Sequence, residues 1–214
     1  RILLAVMVAW IVVPLLPPAP VVDLISVEAM VIAAYQVLIG TAMGFIFQMV
    51  FAAFVIGGQG IAMSMGLGFA SIIDPQNGLQ VPVISQVFLI MVTLIFLALD
   101  GHLLLIDMLV TSFQKLPVGL FLPSRDGLWQ LVTWGSSMFA AGILVALPAV
   151  AALLLVNLAF GVTSRAAPQL NIFAVGFPVM LMVGLIFIML TLPGVRLHLE
   201  MLMQDAFNLV DRVI

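Results

Sequence analysis

A chain of 214 residues that is 65% hydrophobic and only 7% charged, with a net charge of −3 and a mean hydropathy of +1.38, is excluded from the ordinary soluble domains. It has no cysteine, which removes disulfides, thiol catalysis and thiolate metal sites, and its two histidines, His102 and His198, stand too far apart for a metal-ligand spacing. Six Lys and Arg residues with no run among them exclude a nucleic-acid surface, because phosphate contacts need concentrated positive charge.

The chain opens at Arg1 without an initiating Met, and a longer natural N-terminus is expected. Its first apolar run, Ile2 to Leu16, lacks the small-residue cleavage site of a signal peptide and reads as a spanning helix ended by Pro14, Pro17, Pro18 and Pro20. A second helix is predicted from Ser26, whose hydroxyl suits an N-cap with Glu28 close behind, toward Val55. Its GTAMG stretch sets Gly40 and Gly44 on one face, a spacing that permits close helix approach in a membrane. From Gly57 the chain turns glycine-rich, GGQGIAMSMGLGFASIIDPQNG, and no helix is expected past Gly66. Between those breakers stand Phe69, Ile72 and Ile73, so an apolar irregular segment is predicted. Irregular backbone in a membrane protein is tolerated where protein buries it or where it lines an aqueous cavity.

Val81 to Leu99 forms the next spanning-length segment, entered through Pro82, and Asp100, Gly101 and His102 mark a hairpin turn. A shorter apolar helix follows from Leu103 to Phe113, then a polar loop from Lys115 to Asp126. Lys115 and Arg125 favour the cytoplasmic side for that loop. Gly127 to Ser164 would reach about 57 Å as one straight helix, too long for one crossing of roughly 30 Å, and a kink or break is expected at Pro148. The polar connector TSRAAPQLN leads to Ile172–Leu192, which contains Pro178 and is expected to close at Pro193-Gly194. The last segment, 195–214, is amphipathic: Glu200, Gln204, Asn208 and Asp211 share one face and Leu199, Leu202, Met203, Ala206, Val210 and Val213 another. Its mixed charges lack the basic face of a membrane-surface anchor and point to a protein partner. The fold class is therefore all-α integral membrane, built of kinked helical hairpins.

Asp100, His102 and Asp107 bring carboxylates and an imidazole close in sequence, as a proton relay would, but a helix-ending turn explains them more simply. Arg165, Gln169 and Asn171 in the polar connector line either a solvated loop or a conduit. The fourteen methionines are adaptable packing residues, with Met63 and Met65 beside the glycine-rich segment singled out. No nucleophile–base arrangement and no phosphate loop is present, so neither an enzyme nor a cofactor is expected.

Four stretches read together, GQGIAMSMGLGFASIIDPQNG, SQVFLIMVTLIFLALDGHLLLIDMLVTSFQKLP, LPAVAALLLVNLAFGVTSRAAPQLNIFAVGFP and the amphipathic tail, resemble the FliR family of flagellar type III export-gate subunits and its relatives in injectisomes. The resemblance covers nearly the whole chain as a single domain, 1–214. Asp100 stands where the family more often has Asn, and the family usually has a further hydrophobic segment ahead of Arg1. The resemblance implies a multi-subunit helical assembly in the bacterial inner membrane at the flagellar basal body. FliP and FliQ are the implied partners in the conduit, FlhB a further one, and unfolded flagellar proteins the cargo. It also implies that Gly68, Phe69, Ala70, Ser71, Ile72, Ile73, Asp74 and Pro75 form a plug hanging into that conduit. The competing readings are a small-molecule secondary transporter, for which internal repeats are lacking, and a structural scaffold subunit.

Overall fold

The computed structural model describes all residues except 1, 19, 21, 22, 24, 69, 70, 74–79, 120–124, 167–171 and 214. Among the described residues there are six α-helices: α1 Ile2–Val12, α2 Val27–Ser64, α3 Val83–Ala98, α4 Gly101–Lys115, α5 Arg125–Ala166 and α6 Ile172–Val213. A short 3-10 turn, Val13–Leu15, follows α1. Two strands, β1 Ser71–Ile73 and β2 Gln80–Pro82, pair antiparallel between α2 and α3. Apart from that three-residue ladder the regular structure of the described residues is helical. Helices α2, α5 and α6 are each long and apolar enough to cross a membrane, and α3 with α4 supply a fourth span if the bent pair counts as one. The protein is an all-α integral-membrane protein.

The chain divides into two compact units. One comprises Arg1–Phe47, Phe96–Thr133 and Asp205–Ile214, and the other Gln48–Ile95 and Trp134–Gln204.

Helix α2 begins where the sequence signals it. The Ser26 hydroxyl accepts the Ala29 amide at 3.1 Å, an N-cap bond, and donates to the Asp23 carbonyl at 2.7 Å. Helix α2 runs through Gly57, Gly58 and Gly60 to Ser64, nine residues beyond Val55 and within the limit expected at Gly66. Gly66, at φ +78, then closes it. The Leu67 amide donates to the Ala62 carbonyl at 2.9 Å and the Gly66 amide to that of Met63 at 3.1 Å, the paired bonds of a Schellman cap. A side chain at 66 would strain this left-handed position by about 1–2 kcal/mol.

The glycines inside α2 are there for contact. A Cβ on Gly57 would stand 2.9 Å from the Gly142 carbonyl oxygen, one on Gly142 2.8 Å from that of Ala53, and one on Gly58 2.7 Å from the Ser85 Cα. Helix α2 thus touches α5 and α3 backbone to backbone. The fully buried Ser85 hydroxyl donates to the Val55 carbonyl at 3.0 Å. By contrast a Cβ on Gly40 or Gly44 would meet nothing within 4 Å among the described residues, so that glycine pair makes no seam among them.

Proline does not end the long helices. Helix α5 continues through Pro148 and α6 through Pro178 and Pro193, so the segment 195–214 is the last part of α6 and not a separate helix. Proline inside a helix removes one amide donor and costs about 3 kcal/mol. Here all three prolines lie on exposed faces, while the buried stripes continue past them in register. On α5 that stripe is Ala141, Val145, Ala149 and Leu153. On α6 it runs Gly176, Met180, Gly184, Ile188, Val195, Leu199, Leu202, Ala206, Val210 and Val213. Packing along these stripes offsets the lost bonds. The amphipathic division of the last segment holds, with Gln204, Asn208 and Asp211 exposed opposite the buried set. On α5, the opposite face exposes Ile143, Leu144, Leu147, Leu154, Leu155 and Leu158, an outer apolar face suited to lipid or to other helices.

Helix α1 has 11 residues, about 17 Å at 1.5 Å per residue, shorter than the spanning segment expected. In the same unit, α4 and the end of α6 border a groove of about 270 Å³ that includes Asp107, Thr111, Lys115, Phe207 and Asp211. Lys115 pairs with Asp211 at 2.8 Å. Both side chains are about half exposed, and such a pair contributes roughly 0–1 kcal/mol. The Phe207 ring packs on Phe47 at a centroid distance of 5.2 Å.

Candidate functional site

The predicted plug spans Gly68 to Pro75, of which Phe69, Ala70, Asp74 and Pro75 lie outside the described residues. Ser71, Ile72 and Ile73 are not irregular: they form β1, in register with Pro82, Val81 and Gln80 respectively. Gly68 stands in the turn just after the α2 cap, and a Cβ there would fall 2.8 Å from the Met63 sulfur. The segment thus leaves a helix end held by the Gly66 cap and returns through β2 straight into α3, with Pro82 as the last strand residue before Val83.

Its root is anchored by Met65, one of the two methionines singled out above, together with a glycine and an aromatic ring that the sequence did not mark. Met65 is 1% exposed, and its side chain fills the notch left by the missing side chain of Gly184, where a Cβ would come within 2.5 Å of it. Phe177 of α6 flanks Gly66, at 3.7 Å from where a Cβ would be. Gly184 gave no signal because it lies in an uninterrupted apolar run. Met63, the other methionine singled out, is 56% exposed. Four residues past β2, Gln86 is buried, and its Oε1 has no hydrogen-bond partner among the described residues. An unsatisfied amide oxygen costs about 1–3 kcal/mol.

At Asp100, Gly101 and His102 the chain bends by 68° between α3 and α4, short of the reversal a hairpin requires. Asp100 is left-handed at φ 55, ψ 24, a conformation that short polar Asp and Asn tolerate. This accounts for either residue at that position. Gly101 is buried against the Phe96 ring, which occupies the place a Cβ would take. Asp100, His102 and Asp107 are all exposed, and no group of three His, Cys, Asp or Glu among the described residues could hold a metal ion. His198 is engaged locally, its Nδ1 lying 2.8 Å from the Gly194 carbonyl oxygen.

Of the polar connector, Gln169 and Asn171 lie outside the described residues. Arg165 is exposed in the last turn of α5, where its charge complements the helix dipole. The connector is shorter than the sequence suggested, because α5 continues to Ala166. Thr163 and Ser164 donate their hydroxyls to the Ala159 and Gly161 carbonyls at 2.8 and 2.7 Å, so their polarity is satisfied within the helix.

Residues 1–206 match the family model of bacterial export proteins, family 1. The flagellar biosynthetic protein FliR of Escherichia coli K12 is 39% identical over 211 residues, covering 99% of this chain and 80% of that protein. The FliR of Pectobacterium carotovorum is 36% identical over 214 residues, all of this chain and 82% of its own. That of Aquifex aeolicus is 33% identical over 211 residues, 99% of this chain and 81% of its own. The chain belongs to the FliR family of bacterial export proteins. In this FliR-family chain the glycine-rich segment, the α3–α4 break and the connector into α6 follow in the order that the sequence resemblance relied on.

Proposed function

We propose that this protein is a core subunit of the flagellar type III export gate in the bacterial inner membrane. With FliP and FliQ it forms the conduit for unfolded flagellar proteins, with FlhB as a further partner, and it has no catalytic role. The segment from Gly68 to Pro75 closes the conduit as an apolar plug.

The observation that carries this reading is the paired β1–β2 segment rooted on a capped and packed helix end. The ladder pairs some of its backbone groups internally, the requirement for non-helical chain within a membrane protein, while the wedged Met65 and the Gly66 cap hold its root in place. A ladder of three residues a side is only marginally stable alone, so it can open without unfolding the helices. Phe69, Ile72 and Ile73 supply the large apolar side chains with which a constriction excludes water and ions by dewetting. The exposed apolar face of α5 supplies a surface for neighbouring subunits.

Co-expression with FliP and FliQ, purification through a tag on this chain and mass measurement of the eluted particle test the assembly. The expected result is one stable particle containing all three proteins. A well-behaved particle of this chain alone, active in small-molecule transport, would replace the gate with a secondary transporter.

A further inference from the structure

We propose that the groove between α4 and the last turns of α6 receives a helix of another membrane protein, one that presents a lysine or arginine to Asp107. The inference rests on the reading of the chain as one subunit of a larger assembly and names a surface by which it is held there. Charge is scarce in this sequence, with 6 basic and 9 acidic residues in 214, yet Asp107, Lys115 and Asp211 border one groove of about 270 Å³. Lys115 is already engaged by Asp211 at 2.8 Å. Asp107 is exposed and has no ion pair among the described residues, so the groove is left with one net negative charge.

Asp107, Thr111 and Lys115 follow one another at four-residue intervals along α4, a polar line about 12 Å long. That is the length of two turns of a docked helix. Beside the line the groove is apolar: Leu104 is 52% exposed, and Phe207 is backed by the Phe47 ring. Lipid fits this surface poorly on both counts. Acyl chains do not solvate a carboxylate, and a phosphate headgroup is repelled by the net negative charge. A helix with an apolar stripe and one basic residue satisfies both parts, and a guanidinium or ammonium brought to Asp107 would add a charge-assisted hydrogen bond.

The test places a photo-cross-linking residue at position 104 of the full chain, co-expressed in membranes with FliP, FliQ and FlhB, and maps the adduct. The expected adduct is a protein segment with a Lys or Arg within one helical turn of the linked residue. Asp107→Lys is expected to cut its yield about tenfold by placing like charges together, and an acidic residue at the mapped basic position is expected to restore it. Asp107→Asn, which keeps the side-chain shape, should fall between the two. Adducts with lipid alone, a mapped segment without a basic residue, or a yield indifferent to Asp107→Lys would overturn the inference. Co-purification of the subunits in the same membranes separates the two claims. An intact complex without the groove adduct removes only the docking site, and a chain that captures no subunit removes the gate reading as well.

Discussion

Replacing Gly58 by leucine is expected to abolish assembly of the folded protein, while leucine at Gly40 or Gly44 leaves its stability almost unchanged. The difference lies in what stands opposite. Even the Cβ of alanine at 58 would lie 2.7 Å from the Ser85 Cα and 3.1 Å from its amide nitrogen. Both are backbone atoms, which move only if α2 and α3 separate. Overpacking of that kind costs about 1–3 kcal/mol for a small addition, and leucine adds three further carbons. In a membrane the loss is not regained by hydrophobic burial elsewhere, because helix association there depends on close packing itself. Separation would also stretch the 3.0 Å bond from Ser85 to the Val55 carbonyl. At Gly40 and Gly44 no atom of the described residues lies within 4 Å of the added carbon. Thermal unfolding of the purified variants measures the contrast: Gly58→Leu should lower the midpoint sharply or prevent purification, and Gly40→Leu should match the parent. If leucine at 40 or 44 weakens only co-purification with other subunits, that glycine pair is a seam between chains.

Removing residues 69 to 74 is expected to make membranes that hold the assembled gate leaky to small ions. The deletion takes out Phe69, Ile72 and Ile73, the bulk of the apolar segment, and with it β1. It leaves the Gly66 cap, Met65 in the Gly184 notch and the whole of α3. The helical scaffold should therefore survive, and the change should appear in permeability and not in assembly. A dewetted constriction restrains ions by a free-energy barrier, and each 1.36 kcal/mol removed from a barrier raises the flux about tenfold. Loss of even about 2.7 kcal/mol would then raise leakage about a hundredfold. Ion flux into vesicles containing the purified gate measures this directly. Unchanged permeability in a fully assembled complex would mean that the segment is packed against a neighbouring subunit and closes nothing.

Local signals in the sequence were read correctly where one residue decides the geometry. Ser26 caps α2, Gly66 ends it, Pro82 precedes α3 and Asp100 breaks the run into α4. They failed where tertiary contact overrides local preference. Helix α2 was traced only toward Val55, yet it continues through Gly57 and Gly58, the contact points at which α5 and α3 reach its backbone. Pro193-Gly194 suggested the end of a helix, yet the buried stripe from Ile188 to Val195 and Leu199 carries α6 through it. The β1–β2 ladder was invisible because Ser71–Ile73 and Gln80–Pro82 are too short for an alternating pattern to register. In the candidate site, the glycines and large apolar residues between Gly66 and Pro75 were legible from composition, while their reading as a plug came only with the family resemblance. The Met65–Gly184 wedge and the Lys115–Asp211 pair were not, since each joins residues far apart in sequence.

The central claim is that the segment around β1 faces the protein being exported. The chain has no native cysteine, so Ile72→Cys introduces a single thiol, and a stalled export substrate carrying one cysteine can be oxidised against it in the assembled gate. A disulfide-linked adduct at position 72, absent when Leu155→Cys on the outer face of α5 takes its place, is the predicted result. An assembled gate in which position 72 never links to a stalled substrate, while another position in this chain does, would contradict the account.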